Sequence, residues 1–146
     1  MCGSVRIARP VEEVFQAVID EPSWNPAMRS ATMLTPPPPG AGTRYEVVMD
    51  LGRGGMPMQV EYTAFDPPNR LASRTASPMM TTTGEVTCGP DSDGTLLAWD
   101  WKYTLHGAIR LGVPVFALFA GRWERRNWLR LRDLLEGRGT PGGRQG

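Results

Sequence analysis

Apolar residues recur at helical spacing from Gly112 to Glu136, the longest unbroken stretch of that kind in the chain. At about 100° per residue, Val113, Phe116, Ala117, Ala120, Trp123, Trp128, Leu131, Leu134 and Leu135 share one side. Arg122, Arg125, Arg126, Arg132, Asp133 and Glu136 share the other. The pattern predicts a long C-terminal helix, with Pro114 in its first turn and Gly137 where a helix commonly stops. Its first half, Leu111 to Ala120, is apolar all round and is expected to be covered on both sides. Glu124 and Asn127 interrupt the apolar side, and a carboxylate placed there needs a partner or a water-containing cavity.

Upstream the period changes. Ser4 to Ala8 alternates as a first strand, and Pro10 then opens a short amphipathic helix at its first helical position. Val11, Val14, Phe15 and Val18 form the apolar stripe of that helix, with Glu12 and Glu13 favourably placed at its N-terminus. Pro22 and Pro26 leave room for only a turn or a very short helix around Trp24. Pro36 to Pro39 with Gly40 form a stiff loop. From Thr43 the period is two: Tyr45, Val47, Met49 and Leu51 alternate with polar residues. After a turn at Gly52 to Gly55, Met56, Met58, Val60, Tyr62 and Ala64 do the same. Further strands are expected over Leu71 to Ala76 and Met79 to Cys88, then a turn over Gly89 to Gly94. The last strand alternates Leu97, Trp99, Trp101, Tyr103 and Leu105. Short turns between these strands imply an antiparallel meander.

The fold class expected is α+β: a curved antiparallel sheet of about six to seven strands wrapped around the long C-terminal helix, with short helices after the first strand. Residues 1–136 are expected to form one domain, and residues 137–146 a disordered tail. The inward set from the strands is large, flexible or aromatic, and such side chains line pockets as readily as they fill solid cores.

Composition narrows the functions. The chain has 146 residues, is 40% hydrophobic and carries a net charge of +1, which supplies no general drive toward nucleic acid. Cys2 and Cys88 lack the spacing of a zinc site or a disulfide framework. Val113 to Ala120 is too short to cross a bilayer. The N-terminus has no secretory pattern, so a cytoplasmic location is expected, with no metal, no cofactor, no stable membrane insertion, and a monomer or homodimer.

Glu124 is the sharpest candidate for chemistry. It would act as a general acid or base, or accept a hydrogen bond from a ligand hydroxyl, its pKa raised by apolar surroundings. Against that stands pairing with a strand-borne arginine such as Arg74, or contact with solvent at a cavity mouth; pairing is the commoner fate of a partly buried carboxylate. His106, the lone histidine, sits on the polar face of the last strand with no catalytic partner nearby. The arginines of the last helix, interleaved with Glu124, Asp133 and Glu136, read as a solvated face.

Two stretches resemble a known family. Ile7-Ala8-Arg9-Pro10 followed by Val11-Glu12-Glu13-Val14-Phe15-Gln16-Ala17-Val18 and Trp24 is similar to the opening of the polyketide cyclase/dehydrase and lipid-transport proteins of the SRPBCC superfamily, which includes START domains and pollen allergens. Gly94-Thr95 and Leu131-Arg132-Asp133-Leu134-Leu135-Glu136 resemble its later landmarks. The resemblance implies a helix-grip fold with an internal cavity for a hydrophobic or aromatic small molecule. Trp24, the strand residues Tyr45, Met49, Met58, Tyr62, Trp99, Trp101 and Tyr103, and the helix residues Phe116, Ala120, Glu124 and Asn127 are then the expected ligand contacts. Two alternatives accompany this: a cyclase or dehydratase using Glu124 as acid or base, and an interaction module meeting a partner or membrane through Leu111 to Ala120.

Overall fold

The computed structural model describes residues 1–50 and 54–137, apart from the side chains of Ile109, Val113 and Phe116. Its elements in order are β1 (Cys2–Ile7), α1 (Val11–Ile19), a 3-10 turn (Glu21–Ser23), β2 (Met28–Met33), β3 (Arg44–Asp50), β4 (Gly55–Asp66), β5 (Arg70–Ala76), β6 (Met80–Asp91), β7 (Gly94–Leu105), a 3-10 segment (Gly107–Gly112) and α2 (Val113–Leu135). The seven strands of the described residues make one antiparallel sheet in the order β1-β7-β6-β5-β4-β3-β2. This is the antiparallel sheet with a long final helix that the periodicity predicts, and the helix-grip fold that the resemblance implies.

Local chemistry accounts for most boundaries. Pro10 caps α1 from extended backbone, one residue ahead of its expected place inside the helix, and Val14, Phe15 and Val18 supply the buried stripe. The expected turn over Gly89 to Gly94 is narrower: β6 continues to Asp91, and the chain reverses through Ser92 at φ 52°. β2 has no counterpart among the expected strands. It pairs with β3 from Met28↔Met49 to Met33↔Tyr45, but in this edge strand only the end residues Met28 and Met33 are partly buried, so no buried face imposes alternation on its sequence. The expected turn residues Leu51 to Arg53, and the expected tail beyond Gly137, lie outside the described residues.

The core sits at one end of the sheet. Ile7, Val14, Phe15, Leu97 and Leu131 are fully buried there. Trp128 of α2 stacks on Trp99 of β7 at 5.7 Å and against Trp24 at 5.4 Å between ring centroids. The C-terminal end of the helix is tied to β1 as well, since Glu136 Oε2 accepts the Ala8 backbone N–H at 2.7 Å. The C-terminal half of α2 carries this packing. Leu111, Val115, Leu118 and Phe119 are exposed, which overturns the expectation that Leu111 to Ala120 would be covered on both sides: the helix is anchored by its C-terminal half and projects beyond the core at its N-terminal end.

The close approach of β7 to β6 depends on Gly84. A Cβ at this position would lie 1.9 Å from the Asp100 carbonyl oxygen and 2.7 Å from the Trp101 ring, and Gly84 is the register partner of Trp101. The missing side chain lets β7 approach and aims the Trp101 indole inward. Gly84→Ala is expected to lower stability by about 2–3 kcal/mol, the upper end of overpacking costs. Urea unfolding measures this, and a loss within error of zero would show that the strands separate freely at this point.

Candidate functional site

Between the concave face of the sheet and α2 lies a cavity of about 690 Å³. Strand alternation builds its walls. The register pairs Tyr45↔Val60, Val47↔Met58 and Met49↔Met56 place apolar side chains of β3 and β4 side by side on the inner face, and all six residues line the cavity. Tyr62, Met80, Thr82, Trp101 and Tyr103 continue the wall, while Val18 and Ile19 of α1 close one end. The helix contributes Phe119, Ala120, Trp123, Glu124 and Trp128. Its lining residues Phe119, Arg122, Trp123 and Arg126, with Pro22 opposite, are exposed and form the rim.

Glu124 is the polar centre of this wall. It is only 8% exposed, and its Oε1 accepts two indole N–H bonds, from Trp101 at 2.7 Å and Trp128 at 2.9 Å. Oε2 accepts the Tyr103 hydroxyl at 3.4 Å, a long and weak contact. Neither alternative from the sequence describes this carboxylate: Arg74 is exposed, and Glu124 meets three aromatic donors in place of a cation or bulk water. Burial raises its pKa, and the three donors only partly counter that. The Tyr103 phenol is pushed upward too, first by burial and then by the neighbouring carboxylate, so it stays protonated as a donor.

Glu21 is the residue that sequence reasoning missed. It lies in the 3-10 turn beside Pro22, and no periodic pattern there marks a buried position. It lines the same cavity, and its Oε1 accepts Asn25 Nδ2 at 2.7 Å. Burial pushes its carboxyl up to about 7; the Asn25 bond opposes this, and the charge of Glu124 adds to it. The signal available in sequence was an acidic residue in a short proline-bracketed turn next to Trp24, which is not specific.

The other expected contacts divide between the cavity wall and the layer behind it. Tyr45, Met49, Met58, Tyr62, Trp101, Tyr103 and Ala120 line the cavity with Glu124. Trp24 and Trp99 lie behind it, each against Trp128; Trp24 Nε1 donates to the Ala17 carbonyl at 2.8 Å. Asn127 is buried on α2 and is not a lining residue. The Phe116 side chain lies outside the described residues. His106 is exposed, with Nε2 2.9 Å from the Thr81 hydroxyl. Among the described residues no group of three or more His, Cys, Asp or Glu is placed to hold a metal ion, and no helix is long and apolar enough to cross a membrane.

The raised Glu21 carboxyl has a pH signature. Glu21 holds its proton more tightly folded than at the ordinary value of 4.5, so between that value and about 7 the native chain binds more protons than the unfolded one. Its contribution to stability is therefore greatest below about 4.5 and is lost as pH rises through about 7. Glu21→Gln keeps an oxygen for Asn25. It should match the wild type at low pH and exceed it by about 1–3 kcal/mol at about pH 8. Urea unfolding at the two pH values reads the gap, and a gap that does not change with pH would mean that Glu21 titrates as an ordinary surface carboxyl.

Solved structures share this architecture. A START superfamily protein from Mycobacterium smegmatis superposes with a TM-score of 0.79 at 15% identity, covering 94% of this chain and 97% of that one. The Zhui aromatase/cyclase from Streptomyces sp. R1128 gives 0.72 at 16% identity, over 98% and 96%. A conserved protein from Geobacillus kaustophilus gives 0.71 at 16%, over 93% and 94%. At these identities the likeness is one of fold. No curated protein matches the sequence. Residues 3–136 match the family model described as polyketide cyclase / dehydrase and lipid transport, and the chain belongs to that family.

Proposed function

We propose that the protein binds a hydrophobic or aromatic small molecule, polyketide-like or lipid-like, in the cavity between the sheet and α2. The observation that carries this is an apolar space of about 690 Å³ with one buried carboxylate, Glu124, held in its wall by indole and phenol donors. A volume of that order suits a ligand of drug size. Apolar burial supplies most of the affinity, at roughly 25 cal/mol per Å² before ordering costs. Methionines at positions 49, 56, 58 and 80 let the wall adapt to ligand shape. Orientation comes from Glu124: a carboxylate has about four acceptor directions, and the long bond from Tyr103 leaves Oε2 the weaker-satisfied oxygen. A ligand hydroxyl meeting Oε2 would gain a charge-assisted hydrogen bond inside an apolar site.

A second reading rests on the same carboxylate. Glu124 and Glu21 line one cavity, and both hold protons more tightly than ordinary carboxyls. Carboxyls that hold a proton more tightly inside an apolar cavity are suited to take it up and return it, as a cyclase or dehydratase requires.

One variant separates the two. In a carrier, Glu124→Gln should weaken binding of a hydroxylated polycyclic aromatic by about tenfold while leaving its methyl ether unaffected. In an enzyme, the same variant should abolish turnover with affinity nearly intact. Ligand-observed NMR titration gives the affinities, and Ala120→Trp, which fills the cavity, should lower them for both compounds. If a panel of hydrophobic metabolites shows no binding to the wild type, or if Ala120→Trp binds as well as the wild type, the cavity is not the site.

A further inference from the structure

The N-terminal half of α2 and the 3-10 segment before it present an apolar ridge that the fold does not cover. Leu111 is 83% exposed, Val115 59%, Leu118 56%, Phe119 65% and Trp123 40%. On the helix, Val115, Leu118, Phe119, Arg122, Trp123 and Arg126 recur at i, i+3, i+4, i+7, i+8 and i+11, so they share one side. Contiguous apolar exposure of this kind marks an interaction surface.

The charges around the ridge indicate what it meets. Between Gly107 and Arg126 the exposed charged side chains are Arg110, Arg122, Arg125 and Arg126, and the one acidic residue in that span, Glu124, is buried. All fifteen Asp and Glu residues of the chain lie within the described residues. Among the described residues none of these four arginines takes part in an ion pair. Arg122 and Arg126 are a like-charged i, i+4 pair, which by itself weakens a helix. An isologous contact between two copies would bring these cations together. An anionic bilayer instead accepts both features, with the leucine and aromatic side chains entering the acyl boundary and the guanidinium groups reaching the headgroups.

We propose that this ridge docks the protein on an anionic lipid membrane. Phe119, Arg122, Trp123 and Arg126 belong to the cavity rim as well as to the ridge, so docking would set the cavity mouth against the bilayer surface. An apolar molecule would then pass between membrane and cavity without crossing bulk water. Docking itself does not depend on what the cavity holds, so failure of the vesicle experiment leaves the ligand-binding experiment above untouched, and the reverse.

Flotation of the full chain with vesicles of phosphatidylcholine alone, and of phosphatidylcholine mixed with phosphatidylglycerol, tests the proposal. The chain should float with the mixed vesicles and bind the neutral ones at least about tenfold more weakly, with release from the mixed vesicles as salt is raised. Arg110→Glu combined with Arg125→Glu, neither residue lining the cavity, should weaken binding to mixed vesicles by about tenfold or more while the melting temperature stays near the wild-type value. Leu111→Asp with Leu118→Asp should remove binding to both; the arginine variant carries the test alone if this one does not fold. Absence of binding by the folded wild type, equal binding to both vesicle types, or a stable dimer in sedimentation velocity that Leu118→Asp dissociates would each overturn the proposal.

Discussion

The contact on which this architecture turns is the junction of Glu124, Trp128, Trp101 and Tyr103 between α2 and β7. Removing a carboxylate from water costs several kcal/mol unless donors replace the lost hydration. Here the replacements are indole and phenol groups, each carrying a large apolar body that is itself buried or lines the cavity. The same side chains that satisfy the charge therefore contribute apolar packing. Because the two indoles come from different elements, the shared oxygen fixes the rotation of the helix about its axis relative to the strand. A glutamate paired with a surface arginine would not impose that constraint, since long cationic side chains tolerate many geometries.

The cavity follows from where that junction sits. Below it, toward the C-terminus of the helix, Trp128 and Leu131 close onto Trp99, Trp24 and the buried residues of β1 and α1. Above it, α2 continues away from the core, and the strands curve past a glycine that lets β6 and β7 approach. Side chains of β3 and β4 on the inner face are tyrosines, methionines and valines, which line the cavity opposite the helix residues Ala120, Trp123 and Glu124. The space that remains is lined by apolar groups with two protonatable carboxyls, Glu21 and Glu124, facing it from a turn and a helix. Exposure of the helix's leading half is the complement of this geometry: a segment that does not return to the core keeps an apolar surface facing outward.

Much of the fold was legible in the alternation of side chains. Period-two runs in β3, β4 and β7 and the helical period of α2 are direct consequences of one buried face, so they survive in the sequence wherever burial is one-sided. β2 was invisible for the converse reason: an edge strand whose central residues are exposed buries little, and its place is decided by pairing with β3. At the site, Glu124 stood out because a charge on an apolar stripe violates the pattern. Glu21 did not, because its turn has no pattern to violate. Trp99 was expected at the cavity because aromatic residues on an inner face suit a wall and a core equally, and Trp24 because of the family resemblance; only their stacking on Trp128 assigns them to the core.

By itself, then, the sequence determined the class of fold, the order of its elements apart from β2, the inward faces of the main strands and the presence of an acidic group among apolar ones, since all of these are properties of spacing along one chain. Tertiary structure alone decided which donors satisfy Glu124, that Glu21 shares its cavity, and that Leu111, Val115, Leu118 and Phe119 stay exposed. Each of these depends on distances between elements remote in sequence. Such distances are set by the sum of all packing contacts and by the curvature of the sheet, and no local periodicity records them.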